Sequence, residues 1–203
     1  MNTSEYSQLK GMHTVNSIMN TLGVDRNKAI YYIHRLRKKG YIKTRRAREG
    51  RRIYDISLKN KIRGINYFDI INKYASIGVE AEPFFIYGKT PTLEETLIFA
   101  IKTKSIRIIQ ASLYLFRKID NWSLLYHLAK KENLLREVGA LYDLARKIIR
   151  TKRMTNRFRN NALPKNTDSF KYIVDGLSSK DFKGIENTWK IYLPFNKADL
   201  EAQ

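Results

Sequence analysis

The chain has 203 residues, a length that suits one ordinary domain or two small ones. Lys and Arg number 39 against 19 Asp and Glu, a formal net charge of +20, and 43% of the residues are hydrophobic. That apolar content excludes a disordered basic tail protein, and the lack of cysteine excludes disulfides, thiolate zinc sites and cysteine nucleophiles. No apolar run approaches the roughly 18 residues of a spanning helix, and the first residues do not resemble a signal peptide. We therefore expect a cytoplasmic protein with no membrane partner.

The positive charge is concentrated in the first third of the chain. Residues 1–64 carry 16 basic and four acidic side chains, and residues 26–52 carry twelve basic side chains and one acidic side chain. Because neutralising phosphates releases counterions, this excess favours a polyanionic partner. On charge alone, DNA, RNA and an acidic protein or membrane surface all qualify. A second basic run at 144–165 contains no acid, and we interpret it as a solvated face.

The first predicted elements are two short helices. The first covers about residues 4–10 and has a weak apolar pattern. The second is indicated by apolar residues that recur at helical spacing from Val15 to Leu22. Thr14 is expected to cap its amino end, and Gly23 follows its carboxyl end, where a left-handed conformation carries no Cβ penalty.

A third helix is predicted from about Arg26 to Lys39. Asp25 is placed to cap its amino end, and Gly40 to follow its carboxyl end. One side carries an apolar stripe that predicts burial: Ala29, Ile33 and Leu36. The opposite side is polar, aromatic and basic, and it contains Asn27, Tyr31, His34 and Lys38, with Lys28 and Arg35 beside them.

This polar side has the chemistry of groove reading. Two helices joined by a short Gly-containing turn form a helix-turn-helix unit, whose second helix enters the DNA major groove. Asn pairs with adenine, Arg and Lys pair with guanine, and a Tyr ring covers a thymine methyl or a sugar. The DNA-binding residues predicted on this helix are Arg26, Asn27, Lys28, Tyr31, Tyr32, Arg35 and Lys38.

A basic hairpin is predicted directly after the third helix. Residues 41–44 and 51–58 alternate as strands, and the turn between them is Arg48-Glu49-Gly50. Such a hairpin is a wing, whose side chains lie on phosphates or in the minor groove. The predicted DNA-binding residues of the wing are Arg45, Arg46, Arg48, Arg51 and Arg52.

Residues about 4–60 resemble a winged helix-turn-helix domain, in the order helix, helix, recognition helix and two-stranded wing. The resemblance is carried by the pattern T-V-x-x-I-x-x-x-L-G-V-D-R-x-x-A-x-x-x-I-x-x-L-x-x-x-G-Y-I, from Thr14 to Ile42. It implies DNA binding, although members of this superfamily also serve as protein-docking modules and RNA binders.

The rest of the chain is predicted to be mostly helical. Residues 65–74 form either a helix or a hinge, and the stretch from Gly78 to Pro91 contains the Pro and Gly of a linker. Later helices are expected to start at four cap positions, namely Thr92, Ser105, Asn121 or Ser123, and Asn133. Residues 151–168 have few helix signals and are expected to form a loop, an arm or a disordered segment.

The predicted fold class is mainly α with a small β wing, an N-terminal winged helix-turn-helix followed by an α-helical domain. The domains are 1–62 for the DNA-binding domain, 63–91 for a connector, and 92–195 for helical dimerisation or partner binding. In the last long helix a heptad-like seam is either core or a homodimer surface; it consists of Leu134, Val138, Leu141, Ala145 and Ile148.

The domain order carries a second resemblance. A winged helix followed by a small helical domain, with NWSLLYHLAKKENLLREVGALYDLARKIIR and a basic R-F-R-N-N run, is similar to archaeal relatives of AbiEi-type antitoxin regulators. The resemblance implies a repressor of its own toxin–antitoxin operon. It also implies that the second domain helps to neutralise a nucleotidyltransferase-type toxin.

No catalytic constellation is present in the sequence. The three histidines, His13, His34 and His127, are scattered, none belongs to a cluster with metal-ligand spacing, and no Gly-rich phosphate loop occurs. We therefore expect no enzyme activity, cofactor or metal.

The sequence predicts a sequence-specific regulator of transcription that binds double-stranded DNA as a homodimer. Two alternatives stay open: an antitoxin whose main role is to bind a toxin, and an RNA-binding protein whose basic patches follow an A-form backbone. The predicted third helix favours DNA, because an A-form major groove is too narrow to admit it.

Overall fold

The computed structural model describes residues 7–47, 50–57, 64–80, 85–87, 89–165 and 167–201, without the side chain of residue 201. These residues are mainly helical, with a small three-stranded antiparallel sheet and a two-stranded parallel pair. They form two compact units: unit 1 is Met1–Asn66 with Pro83–Thr90, and unit 2 is Tyr67–Glu82 with Pro91–Gln203. No helix within the described ranges combines the length and the apolar character needed to cross a membrane.

The elements with described bounds in unit 1 are two helices and the three-stranded sheet. They are β1 (Gly11–His13), α1 (Val15–Leu22), α2 (Arg26–Lys38), β2 (Ile42–Arg46) and β3 (Arg52–Ile56). The strand order is β1-β3-β2, and both pairings are antiparallel. The core lies between the helices and one face of the sheet, and its buried members are Leu9, Ile18, Ala29, Ile33, Leu36, Ile42, Tyr54 and Ile56.

The predicted ends of α1 and α2 are confirmed, because they depend on local chemistry. Thr14 Oγ1 accepts a hydrogen bond from the Ser17 N–H at 3.2 Å, and Ser17 Oγ in turn accepts one from the Thr14 N–H at 2.9 Å. Gly23 ends α1 in the left-handed conformation, with φ +60°. Asp25 Oδ1 caps α2 by accepting a hydrogen bond from the Lys28 N–H at 2.9 Å.

The start of unit 1 differs from the prediction. Residues 4–6 of the predicted first helix lie outside the described residues, and Ser7 is helical. A turn follows, in which the Lys10 N–H donates to the Ser7 carbonyl at 3.3 Å. The turn leads into β1, a third strand that was not predicted. Three residues are too few to show an alternating pattern, so only pairing with β3 reveals β1 as a strand.

The predicted connector, 63–91, is shared between the two units. Ile65 and Ile86 exchange two backbone hydrogen bonds, of 3.1 and 2.9 Å, and thereby hold the returning chain in unit 1. The Tyr87 ring packs on Gly40, where an added Cβ would lie 2.6 Å from ring carbons. Between these contacts the chain forms a helix that belongs to unit 2, with Phe68 buried in its core.

Unit 2 is built from short helices around an aromatic-rich core. Its elements are α3 (Tyr67–Tyr74), α4 (Leu93–Lys102), α5 (Ile106–Ser112), a 3-10 helix (Leu113–Arg117), α6 (Trp122–Lys131), α7 (Leu135–Ile148), α8 (Asn156–Ala162), β4 (Lys171–Tyr172), α9 (Lys183–Trp189), β5 (Ile191–Tyr192) and α10 (Lys197–Glu201). The largest fully buried side chains in this unit are Trp189, Tyr142, Phe116, Phe158 and Phe195.

The cap predictions in unit 2 have mixed outcomes. Thr92 caps α4 in a capping box with Glu95, and Asn121 caps α6, so these predictions are confirmed. Ser105 occupies the N-cap position of α5 but makes no side-chain cap hydrogen bond. The Asn133 prediction is wrong: this residue has φ +57° in the turn after α6, and Leu134 precedes α7. Asn tolerates the left-handed conformation, which lets the chain reverse within a few residues.

Burial in unit 2 corrects one expectation and decides between two alternatives for the seam. The segment after residue 150 contains helix α8, capped by Thr155 and anchored by the buried Phe158 and Ala162. The predicted seam on α7 is core and not a homodimer surface, because four of its five residues are at most 8% exposed and the fifth, Ile148, packs on the core.

Candidate nucleic-acid interface

Helix α2 presents two chemically different faces. Ala29, Ile33 and Leu36 are at most 5% exposed, which confirms the predicted apolar stripe. The side chains predicted to contact DNA lie outside this stripe. Arg26, Asn27, Lys28, Tyr31 and Lys38 are exposed, as is His34, and Tyr32 and Arg35 are half-buried.

An aromatic and cationic group stands in the middle of the polar face. Tyr31 is 54% exposed. The Arg35 guanidinium carbon lies 5.7 Å from the Tyr31 ring centroid, and the Tyr32 ring lies 5.9 Å from it at a tilt of 52°. These neighbours restrict the ring, so it offers a flat apolar surface beside a positive charge.

The single acid next to α2 is used to build the helix. The backbone N–H of Lys28 donates to the Asp25 carboxylate, and this hydrogen bond lowers the pKa of Asp25 below its ordinary value. The carboxylate is therefore directed at the helix end and does not offset the basic side chains farther along α2. At the other end, Arg37 Nη2 donates to Thr44 Oγ1 at 2.9 Å and ties α2 to β2.

The β2–β3 hairpin places like charges opposite one another. Arg46 pairs directly with Arg52 in the strand register, and both side chains are exposed. The turn beyond them is closed by the Ala47 N–H, which donates to the Arg51 carbonyl at 2.8 Å. Like charges in direct register destabilise a sheet, so this pair is costly unless an anion lies against it.

The positive charge on the outer face of the sheet is partly balanced by Asp55. Arg45 Nη2 lies 3.7 Å from Asp55 Oδ2, and Asp55 is also directly opposite Lys43 in the register. Lys43 is exposed and was not among the predicted site residues, because its place beside Asp55 depends on strand pairing. Arg37 was also missed, since its contact with Thr44 requires α2 to fold against β2.

Eleven of the twelve predicted DNA-binding residues fall within the described part of unit 1; the twelfth, Arg48, lies outside the described residues. The structure brings these eleven together on two elements, α2 and the β2–β3 hairpin, and places none in the core. Within the same part of the chain, no acid lies on α2 or on β2. The arrangement can contact phosphates and flat bases, and the acid described on the hairpin, Asp55, lies beside Arg45.

The second basic run, 144–165, is partly structural. Arg159 donates to both carboxylate oxygens of Asp143, at 3.1 and 3.2 Å, and the Trp189 indole N–H donates to the same carboxylate at 2.8 Å. Lys152 forms an ion pair with Asp120. The basic side chains of this run, Lys152 included, are otherwise exposed, as a solvated face predicts. Arg159 is the exception, because it is half-buried and ties α8 to α7 through Asp143.

Unit 2 has surface clefts but no group suited to metal binding among its described residues. One cleft, of about 420 Å³, is lined by Phe99 and Leu128 and bordered by an ion pair of 2.5 Å between Lys102 and Glu132. The hydrogen bond from Lys102 lowers the pKa of Glu132.

Comparison of the chain with protein-family models, with curated proteins and with solved structures found no match.

Proposed function

We propose that unit 1 is a winged helix-turn-helix and that the protein is a sequence-specific regulator of transcription that binds double-stranded DNA. In this proposal α2 is the recognition helix and the β2–β3 hairpin is the wing. The observation that carries the proposal is the cationic surface of these two elements, where Arg46 opposes Arg52. Of the acids described there, Asp25 is engaged as a helix cap and Asp55 lies beside Arg45.

The opposed arginines favour a phosphate ligand. Their repulsion reduces the stability of the free hairpin, and a phosphate lying between them would remove that repulsion through charge-assisted hydrogen bonds. Guanidinium groups match phosphate geometry, so the pair gains more from an anion than two lysines would. The wing therefore provides sequence-independent affinity.

The exposed face of α2 supports base reading. Asn27 has the donor and acceptor pattern that pairs with adenine in the major groove, and Arg35 can pair with guanine. Tyr31 offers an apolar ring surface to a thymine methyl or a sugar. These side chains account for specificity, whereas Arg26 and the wing arginines account for positioning on the backbone.

Double-stranded DNA fits this arrangement better than double-stranded RNA does. A recognition helix needs a groove wide enough to admit it, and the B-form major groove is about 12 Å wide. The A-form major groove is deep and narrow, so the exposed face of α2 would not reach base edges there.

Selection of bound sequences from a pool of random duplex DNA tests the proposal. The full-length chain should enrich a defined motif, and the enriched duplex should outcompete random DNA by about a thousandfold or more. A matched RNA duplex should compete only as well as random DNA. Equal affinity for every duplex, or preference for the RNA, would contradict the proposal.

A further inference from the structure

One large aliphatic side chain of α2 lies outside the buried stripe. Ile30 is 46% exposed, and among the described residues it does not belong to the hydrophobic set that packs on the core of unit 1. Its neighbours one turn before and one turn after, Arg26 and His34, are both exposed. A single exposed hydrophobic residue is common on proteins, so any role for Ile30 depends on the surface that surrounds it.

Ile30 lies on the side of α2 that turns toward the hairpin. Residues seven positions apart in a helix point in nearly the same direction, so Ile30 and Arg37 share a side, two turns apart. Arg37 Nη2 donates to Thr44 Oγ1 of β2 at 2.9 Å, which holds the carboxyl end of that side against the hairpin. Toward the amino end of α2 the same side is apolar and exposed at Ile30.

The surface around Ile30 attracts polyanions. Arg26 and Lys28 are exposed in the first turn of α2, and that turn contains no acid. Arg46 and Arg52 are exposed on the hairpin. A polyanion is therefore the partner that this surface favours. When its phosphates are bound by these cations, Ile30 is covered by whatever the polyanion presents beside them.

Duplex DNA presents one apolar group in its major groove. The other groups on the base edges there are hydrogen-bond donors and acceptors, whereas thymine adds its C5 methyl. An isoleucine side chain forms no hydrogen bonds, and covering a polar base edge with it leaves that edge without a partner. The side chain of Ile30 thus complements the thymine methyl and no other group in the groove.

We infer that Ile30 is a specificity-determining residue that contacts the C5 methyl of a thymine in the major groove. The inference rests on the proposed function, in which α2 enters that groove. Tyr31 lies about 100° farther round α2. Its ring adjoins the Arg35 guanidinium, 5.7 Å away. The two side chains therefore meet different parts of the duplex.

Helical spacing alone does not identify this residue. Ile30 lies only about 60° from the buried Ile33 around the helix axis, so the sequence pattern places it at the margin of the apolar stripe. The exposure of its side chain in the folded unit, together with the contact of Arg37 with β2, puts it on the outer surface beside the hairpin.

The expected effect is that of one buried methyl group. Removing such a group should weaken binding about fourfold, which corresponds to about 0.8 kcal/mol. Loss of a phosphate contact has a different signature, because it lowers affinity for every duplex and reduces the salt slope. A methyl contact should instead change affinity at one position of the bound sequence and leave the salt slope unchanged.

The test uses the full chain and the duplex motif that selection from random DNA yields. Each thymine of the motif is replaced in turn by uracil, which lacks the C5 methyl and keeps the same Watson–Crick pairing. In competition binding, at least one replacement should weaken the wild type about fourfold. Ile30→Ala should no longer distinguish thymine from uracil at that position. Ile30→Val, which keeps a branched apolar side chain, should still distinguish them.

Met12→Ala is the matched control, since it shortens another apolar side chain of unit 1, on β1, that is 70% exposed. It should distinguish thymine from uracil as the wild type does. Ile30→Ala should unfold thermally like the wild type or at a slightly higher temperature, because alanine favours a helix.

Two results would overturn the inference and leave the proposed function standing. One is a motif at which no uracil replacement weakens binding by the wild type. The other is full discrimination by Ile30→Ala at every thymine; its loss in Tyr31→Ala instead would assign the methyl contact to the tyrosine ring. Failure to select any motif would contradict the proposed function, and the inference with it.

Discussion

Units 1 and 2 are both basic, but they use their basic side chains differently. Unit 1 carries 17 basic and four acidic side chains, whereas unit 2, although longer, carries 22 basic and 15 acidic side chains. In unit 2, Arg136 Nη1 donates to the Ser169 carbonyl at 2.8 Å, and Lys104 Nζ donates to the Ile173 carbonyl at 2.9 Å. The cations of unit 2 thus connect segments of the fold.

In unit 1 the corresponding side chains face outward from α2 and the hairpin. Only part of that charge is balanced, as where Arg45 lies beside Asp55. The difference shows that a count of charges does not identify a nucleic-acid surface. Among the described residues, Arg136 and Lys104 of unit 2 donate to carbonyls in distant segments of their own unit, whereas Arg26, Lys28 and Lys38 of α2 are exposed.

The largest effect should come from removing the opposed pair on the wing. The double variant Arg46→Ala/Arg52→Ala should lose about thirtyfold to a hundredfold in affinity for specific and random DNA alike, and its salt slope should fall by about two. Lys147→Ala/Arg150→Ala removes the same charge from exposed positions of unit 2 and should change little. Fluorescence anisotropy at a series of salt concentrations measures the DNA affinity and the salt slope of both variants. Equal losses of affinity would show that the basic side chains of the two units contribute equally to DNA binding.

Specificity should depend on α2. Asn27→Ala and Tyr31→Ala should each cost about 1–3 kcal/mol on the selected site and much less on random duplex, because each removes a base contact. Asn187→Ala, at an exposed position of α9 in unit 2, is the control for loss of an amide. Competition binding with both kinds of DNA checks this. Equal losses on both would assign these residues to backbone contacts.

Unit 2 should be vulnerable at a close helix contact that leaves unit 1 untouched. A Cβ at Gly139 would lie 2.3 Å from the buried Trp189 ring, so Gly139→Ala should destabilise unit 2 by about 1–3 kcal/mol. Gly184→Ala meets open space within α9 and should be neutral or stabilising by up to about 1 kcal/mol.

Tryptophan fluorescence follows this unfolding selectively, because both tryptophans, Trp122 and Trp189, belong to unit 2. DNA binding by Gly139→Ala should stay normal at temperatures where unit 2 is folded. A matching loss of DNA affinity there would show that the two units are not independent.

The boundary of unit 1 should lie beyond the returning segment. A fragment of residues 1–76 lacks Ile86 and Tyr87, and it should be less stable than residues 1–90 by about 1–2 kcal/mol, because it loses two backbone hydrogen bonds and a buried ring contact. Both fragments keep α3, so they differ only in the return. Circular dichroism during thermal unfolding compares the two fragments. Equal stabilities would show that Ile86 and Tyr87 do not stabilise unit 1.

The smallest effect should be the pH dependence of the α2 cap. The pKa of Asp25 is lowered in the folded state, so its contribution to stability is present above its ordinary pKa and is lost as the pH falls through the lowered value. Asp25→Asn keeps a capping side chain but does not titrate. Exchange protection of the Lys28 amide should therefore fall with acid in the wild type and vary less in the variant. Identical acid profiles would contradict the cap's role.

The local features of unit 1 could be predicted from the sequence alone. The caps at Thr14 and Asp25 and the left-handed Gly23 depend on interactions within a few residues, so residues close together in the sequence are enough to predict them. The buried stripe of α2 was equally readable, because helical spacing alone sorts its two faces. Together these features made most of the candidate site predictable.

Tertiary structure alone decided the features that depend on distant partners. Strand β1 forms by pairing with β3, and Arg46 lies opposite Arg52 because of the hairpin register. Ile86 is held in unit 1 because its backbone pairs with Ile65. The α7 seam had the spacing of either a core or a dimer surface. Only the packing of unit 2 buried it, because periodicity identifies an apolar face but not the surface that covers it.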